Sequence, residues 1–168
     1  VLDKLPIVEF DKESYYKLSD IQFFRISELV YQEDEFSVDK LAMVFHALSN
    51  TPCTLVLMLK SDGVKTDFYL GVRPKGENSS GTLLKMLKST LLGFFPGSKI
   101  SQYYNEVMEK DMNTLVSGCI SAVTCVADYK QAEASRLNKD FIQGLEKFVD
   151  AIKDRVYTGV FIADTVEN

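Results

Sequence analysis

The stretch Cys53–Val72, CTLVLMLKSDGVKTDFYLGV, decides the fold. Two apolar runs flank Asp62-Gly63, and Asp-Gly between such runs is the strongest short-range hairpin signal. A two-residue turn there needs φ > 0 at both central positions, which Asp tolerates and Gly adopts freely. The turn predicts a hairpin over 53–60 and 65–72. In that register Leu59 faces Thr66, Leu57 faces Phe68, Leu55 faces Leu70 and Cys53 faces Val72. These side chains share one sheet face, because side chains alternate along a strand. The other face carries Lys60, Met58 and Val56 against Lys65, Asp67 and Tyr69. The first strand is apolar on both faces and is expected centrally, with the second nearer an edge or covered on one side only.

Working outward, Phe36–Leu48 has helical spacing, with Ser37 as N-cap and Val38, Leu41, Ala42, Phe45 and Leu48 as its apolar stripe. Pro52 ends it before the hairpin. Upstream, Ile21–Tyr31 (IQFFRISELVY) has two readings: Phe24, Ile26 and Val30 suit a strand face, while Phe23, Ile26 and Val30 suit a helix; strand is preferred because β-branched and aromatic residues dominate. Residues 1–20 read as an extended lead-in, with a short strand at Ile7–Phe10.

Downstream, Gly81–Phe94 forms a second helix with Leu84, Leu87, Leu91 and Phe95 in register, and Pro96-Gly97 stops it. Ile100–Met112 has helical spacing. Gly118–Tyr129 (GCISAVTCVADY) reads as a buried strand, Ala132–Asp154 as the clearest helix and Tyr157–Val166 as a last strand. That strand–helix–strand unit implies a parallel pair with a right-handed crossover. The expectation is therefore an α+β (mixed α/β) domain over 1–168, with a mixed sheet and helices packed on it.

The 168 residues suffice for one domain with a sizeable core, and 46% hydrophobic content places the chain among globular proteins. The net charge of −5 argues against a surface that grips nucleic acid everywhere. Charge is uneven, however. Between residues 60 and 99, Lys60, Lys65, Arg73, Lys75, Lys85, Lys88 and Lys99 face only Asp62, Asp67 and Glu77, so the span is locally +4 and the remainder −9. Solvated lysines explain this more simply than a phosphate-binding face. Three cysteines, at 53, 119 and 125, lie in apolar runs without a CxxC, the pattern of buried reduced thiols in a cytoplasmic protein. No run is apolar enough for membrane insertion and no signal peptide opens the chain. It starts at Val1 without Met and stops after a strand-like run, and so reads as an excised piece of a longer protein.

Residues that carry chemistry are few. Gly76–Thr82 (GENSSGT) has the glycine spacing of a phosphate-binding loop, but Gly81 is followed by Thr82 and Leu83 instead of Lys and a hydroxyl residue. That lysine reaches the outer phosphates, so the loop is read as a surface turn in which Asn78 or Ser79 caps the next helix. His46, the single histidine, lies on the polar side of its helix with no ligand or nucleophile at a telling spacing. The aromatic pairs Tyr15-Tyr16, Phe23-Phe24, Phe94-Phe95 and Tyr103-Tyr104 are read as packing. No catalytic, cofactor-binding or metal-ligating residue is assigned, and no cofactor is expected.

Four stretches in order, SNTPCTLVLMLKSDG, DFYLGVR (Asp67–Arg73), LLGFFPGSKI (Leu91–Ile100) and YTGVFIAD (Tyr157–Asp164), resemble the region preceding the motor in bacterial ATP-binding proteins of the HerA/FtsK superfamily, related to conjugative-transfer ATPases. The resemblance covers Phe36 to Asp164. It implies a non-catalytic N-terminal accessory domain, for assembly or substrate engagement, in a DNA-translocating or conjugation-like machine. Its partners are then the ATPase domain of the same polypeptide and neighbouring subunits, as a homo-oligomer such as a hexamer, with weak DNA contact. The motor's own nucleotide motifs do not occur in this sequence. The alternative is a stand-alone protein-interaction module; an enzyme is supported only by His46 and the Gly76 loop.

Overall fold

In a computed structural model, the structure describes residues 20–30, 37–75, 77–115, 118–123 and 144–164. The Asp62-Gly63 hairpin is present as β2 (Cys53–Asp62) and β3 (Thr66–Pro74). Its turn sits one residue further along. Gly63 alone takes positive φ (+89°) while Val64 does not, so Gly63-Val64 are the central pair, as in a type II′ turn. The reason is the Asp62 carboxylate. Its Oδ1 accepts the backbone N–H groups of Val64 (2.9 Å) and Lys65 (2.8 Å), which fixes Asp62 at the first corner. Pairing therefore shifts by two residues, to Leu59 with Phe68, Leu57 with Leu70, Leu55 with Val72 and Cys53 with Pro74. A shift of two preserves every residue's face, so the expected apolar face survives the corrected register.

The sheet continues with β1 (Gln22–Glu28), β4 (Lys99–Tyr103) and β5 (Val156–Asp164), in the order β4-β1-β3-β2-β5. The fold is α+β. Among the described residues all four strand pairings are antiparallel, in place of the expected mixed sheet. The first strand of the expected parallel unit does not form where it is described: residues 118–123 are not strand, and Ile120 and Val123 are exposed. Its remainder, the helical run before Gly144 and the lead-in strand lie outside the described residues. The central strand is β3, not β2.

One face is covered by α1 (Ser37–His46) and α2 (Ser80–Phe94). Val44 of α1, Leu48 in the turn that follows it, and Leu83, Leu84, Leu87 and Leu91 of α2 bury against Phe24, Cys53, Leu55, Leu70 and Val72. Ser37 is the first residue of α1 rather than its cap, and Ala42 is exposed while Val44 takes the core position. The α2 cap is Ser79, whose hydroxyl accepts the Thr82 N–H at 3.2 Å.

The other face is covered by α3 (Asn105–Leu115), whose Met108 packs among Phe23, Val56, Met58 and Tyr69. Consecutive Phe23 and Phe24 thus fill opposite cores. Residues 99–103, expected to begin a helix, form β4 instead. Gly97 (φ +87°) reverses the chain after α2 and lays Ile100 opposite Ile26 and Tyr103 opposite Phe23. A last helix, α4 (Gly144–Ala151), precedes β5.

Candidate functional site

Among the described residues, β5 is an outer strand of the sheet. It pairs with β2 over all nine of its residues, from Val156 opposite Asp62 to Asp164 opposite Thr54, with no register shift. Its far end is pinned by side chains. The Thr54 hydroxyl donates to the Asp164 carboxylate at 2.7 Å, and Lys75 approaches the same oxygen at 3.1 Å. The Thr54 bond, with Lys75, holds the Asp164 pKa low against the opposing effect of burial.

The strand's side chains are open on both faces. Val156, Val160 and Ile162 are 81%, 42% and 69% exposed on one face, and Phe161 is 44% exposed on the other. On the Phe161 side, Phe148 of α4 meets Tyr157 edge-on (5.9 Å, 85°) and Phe161 edge-on (6.1 Å, 86°). Beside them opens a cavity of about 580 Å³, walled by apolar residues of α1, α4, β2, β3 and β5, Phe45, Leu57 and Phe161 among them. Such a wall supplies no acid, base, nucleophile or ligand; it accepts apolar side chains. Sequence reading missed this site because an apolar strand looks the same whether both its faces are covered or not.

The charged groups cluster elsewhere and serve packing. On the α3 face, Arg25 pairs with Asp67 at 2.7 Å, which Lys65 also reaches at 3.0 Å. Lys60 pairs with Asp111 of α3 at 2.7 Å, and the Tyr103 hydroxyl donates to the same carboxylate. Burial pushes both carboxylates up, yet Lys65 with Arg25 outweighs it at Asp67, and Lys60 with Tyr103 outweighs it at Asp111. Burial and the Asp111 carboxylate raise the Tyr103 phenol, which stays protonated.

The basic span does not form one face. Lys60, Lys65, Lys75 and Lys99 are engaged with Asp111, Asp67, Asp164 and Glu28, whereas Lys85 and Lys88 ride on α2, across the sheet from the Lys60–Asp111 pair. The Lys88 ammonium lies 5.6 Å from the Phe24 ring centroid. His46 is exposed at the end of α1. Cys53 is buried, and that burial raises its thiol pKa so it remains protonated; Cys119 is exposed, contrary to expectation. Among the described residues no three His, Cys, Asp or Glu side chains converge as a metal site. Also among them, no helix is long and apolar enough to cross a membrane.

No family model, curated protein or solved structure matches the chain.

Proposed function

We propose that this domain is a non-catalytic assembly or substrate-engaging module, set ahead of the motor in a HerA/FtsK-type P-loop ATPase that moves DNA or acts in conjugation-like transfer. The observation that carries the assembly role is the open β5 edge, with exposed apolar side chains on both faces and an apolar cavity beside it. Surfaces of that kind mark interaction sites. The motor setting rests on the four ordered stretches ending in the β5 residues YTGVFIAD. In this reading the partners are the ATPase domain of the same polypeptide and neighbouring subunits, and the location is cytoplasmic.

DNA contact is secondary and weak, because Lys60, Lys65, Lys75 and Lys99 are already engaged by carboxylates. A stand-alone interaction module is the second reading, which the same edge favours without a motor. The reading frame beyond Asn168 decides between them. A GxxxxGK[ST] loop followed by a helix supports the motor setting; a stop codon directly after Asn168 removes it and leaves the stand-alone module.

A further inference from the structure

We propose that β5 pairs with β5 of a second copy of this chain, across a two-fold axis, so that two five-stranded sheets become one continuous antiparallel sheet. The inference rests on the assembly reading above and names its partner.

The two edges of the sheet differ in kind. At the β4 edge the strand is five residues long, its register with β1 shifts between Ile26 and Glu28, and Lys99 is tied to Glu28. Short length, irregular pairing and a lysine are the devices by which proteins blunt an edge. At the β5 edge none of them appears. The strand is nine residues long, its register is unbroken, and Val156 to Ala163 (VYTGVFIA) contains no Lys, Arg, Asp, Glu or Pro. Its outer backbone groups form a ladder uninterrupted by charge or proline, with exposed apolar side chains above and below. A strand of that description accepts another strand.

Charge at the strand ends selects a second copy in antiparallel orientation. Arg155 precedes the strand and Asp164 closes it. Antiparallel apposition about Val160 puts Asp164 of each copy across from Val156 of the other, one residue from its Arg155. Parallel apposition would stack like charges. The two-fold axis runs perpendicular to the sheet, so each residue stays on its own face and Val160 meets its own symmetry mate. On that face Thr158 meets Ile162 of the other copy. The exposed apolar side chains of both strands thereby cover one another, in the pairing that stabilises antiparallel sheets.

The test is the solution mass of the full chain, by light scattering over a range of concentrations, for wild type, Val160→Lys and Ile162→Lys. The expected result is a wild-type plateau at twice the 19.0 kDa chain mass, with both variants at a single chain mass and unchanged far-UV circular dichroism. Both positions are exposed in the single chain, so lysine is compatible with its fold; in the pair Val160→Lys sets two like charges on the axis. A wild-type monomer throughout, a mass that grows without a plateau, or folded lysine variants that remain dimeric would each overturn the proposal. The reading frame beyond Asn168 is indifferent to all three, so failure here is distinguishable from failure of the motor setting.

Discussion

Replacing Gly71 by Ala tests the packing on the α3 face. Gly71 sits in the central strand opposite Phe23, with the ring lying over it. A Cβ at Gly71 would meet two ring carbons at 2.5 Å and a third at 2.9 Å. Ordinary contact begins at 3.4 Å, so the ring must retreat by about 0.9 Å. It has little room. Phe23 is buried, Tyr103 meets it edge-on at 6.5 Å, and Met108 belongs to the same cluster. Overpacking a dense core costs about 1–3 kcal/mol, and this approach belongs at the upper end. Alanine recovers about 0.5–1 kcal/mol over glycine in a strand interior, leaving a net loss near 2 kcal/mol. Urea unfolding should show the midpoint falling by roughly 1 M at unchanged slope. Phe23→Leu withdraws the ring, so Gly71→Ala should cost much less in that background. A neutral Gly71→Ala, or the same loss with and without the ring, refutes the reasoning.

Gly93 lies within α2, and a methyl added there meets nothing within 4 Å, so Gly93→Ala should stabilise by about 0.5–1 kcal/mol, read as a higher urea midpoint. Leu70→Ala should cost about 2–5 kcal/mol and Leu57→Ala, at a partly buried position, less, and a double-mutant cycle should show coupling, because these two residues are directly paired; additive losses would mean the register is otherwise. Asp67, Asp111 and Asp164 have lowered pKa values, so their contribution is complete above the unfolded value of about 3.9 and is lost as pH falls through the folded values. The midpoint should therefore hold steady from neutral pH to about 5 and decline below about 4; a midpoint that rises on acidification contradicts the ion-pair assignments.

Local chemistry is legible in the sequence, and distance along the chain limits the rest. The hairpin and both α1 and α2 follow from patterns within a few residues; local pattern narrows the α2 cap to Asn78 or Ser79, and composition alone tips the ambiguous spacing at Gln22–Glu28 toward strand. The turn slips by one residue because Asp-Gly satisfies two rules at once. Asp62 is compatible with the centre of a type I′ turn, yet from the corner its carboxylate accepts the N–H groups of Val64 and Lys65. β4 reads as helix because Ile100 and Tyr103 fill opposite faces of a five-residue strand, and their spacing of three mimics a helical one. Strand order is out of reach. Nothing local to Tyr157–Asp164 says that it lies beside β2, about a hundred residues earlier, antiparallel and at an edge. The candidate site inherits that blindness, since the exposure of Phe161 and Ile162 depends on how far the helices cover the two faces of the sheet at its edge.

The strand order also sets a schedule for the nascent chain. By Tyr103 every described strand except β5 has been made, and β4, β1, β3 and β2 already suffice for a four-stranded sheet. Val156 follows roughly fifty residues later, which at ribosomal speed is about 3–10 seconds. Throughout that interval β2, with Val56 and Met58 on its flank, is the outermost strand and stands where β5 will dock. Closing the gap adds little entropic cost for the long connection, since that cost grows only logarithmically with length. The exposure is one of time, and a chaperone or neighbouring nascent chain meets β2 before β5 does.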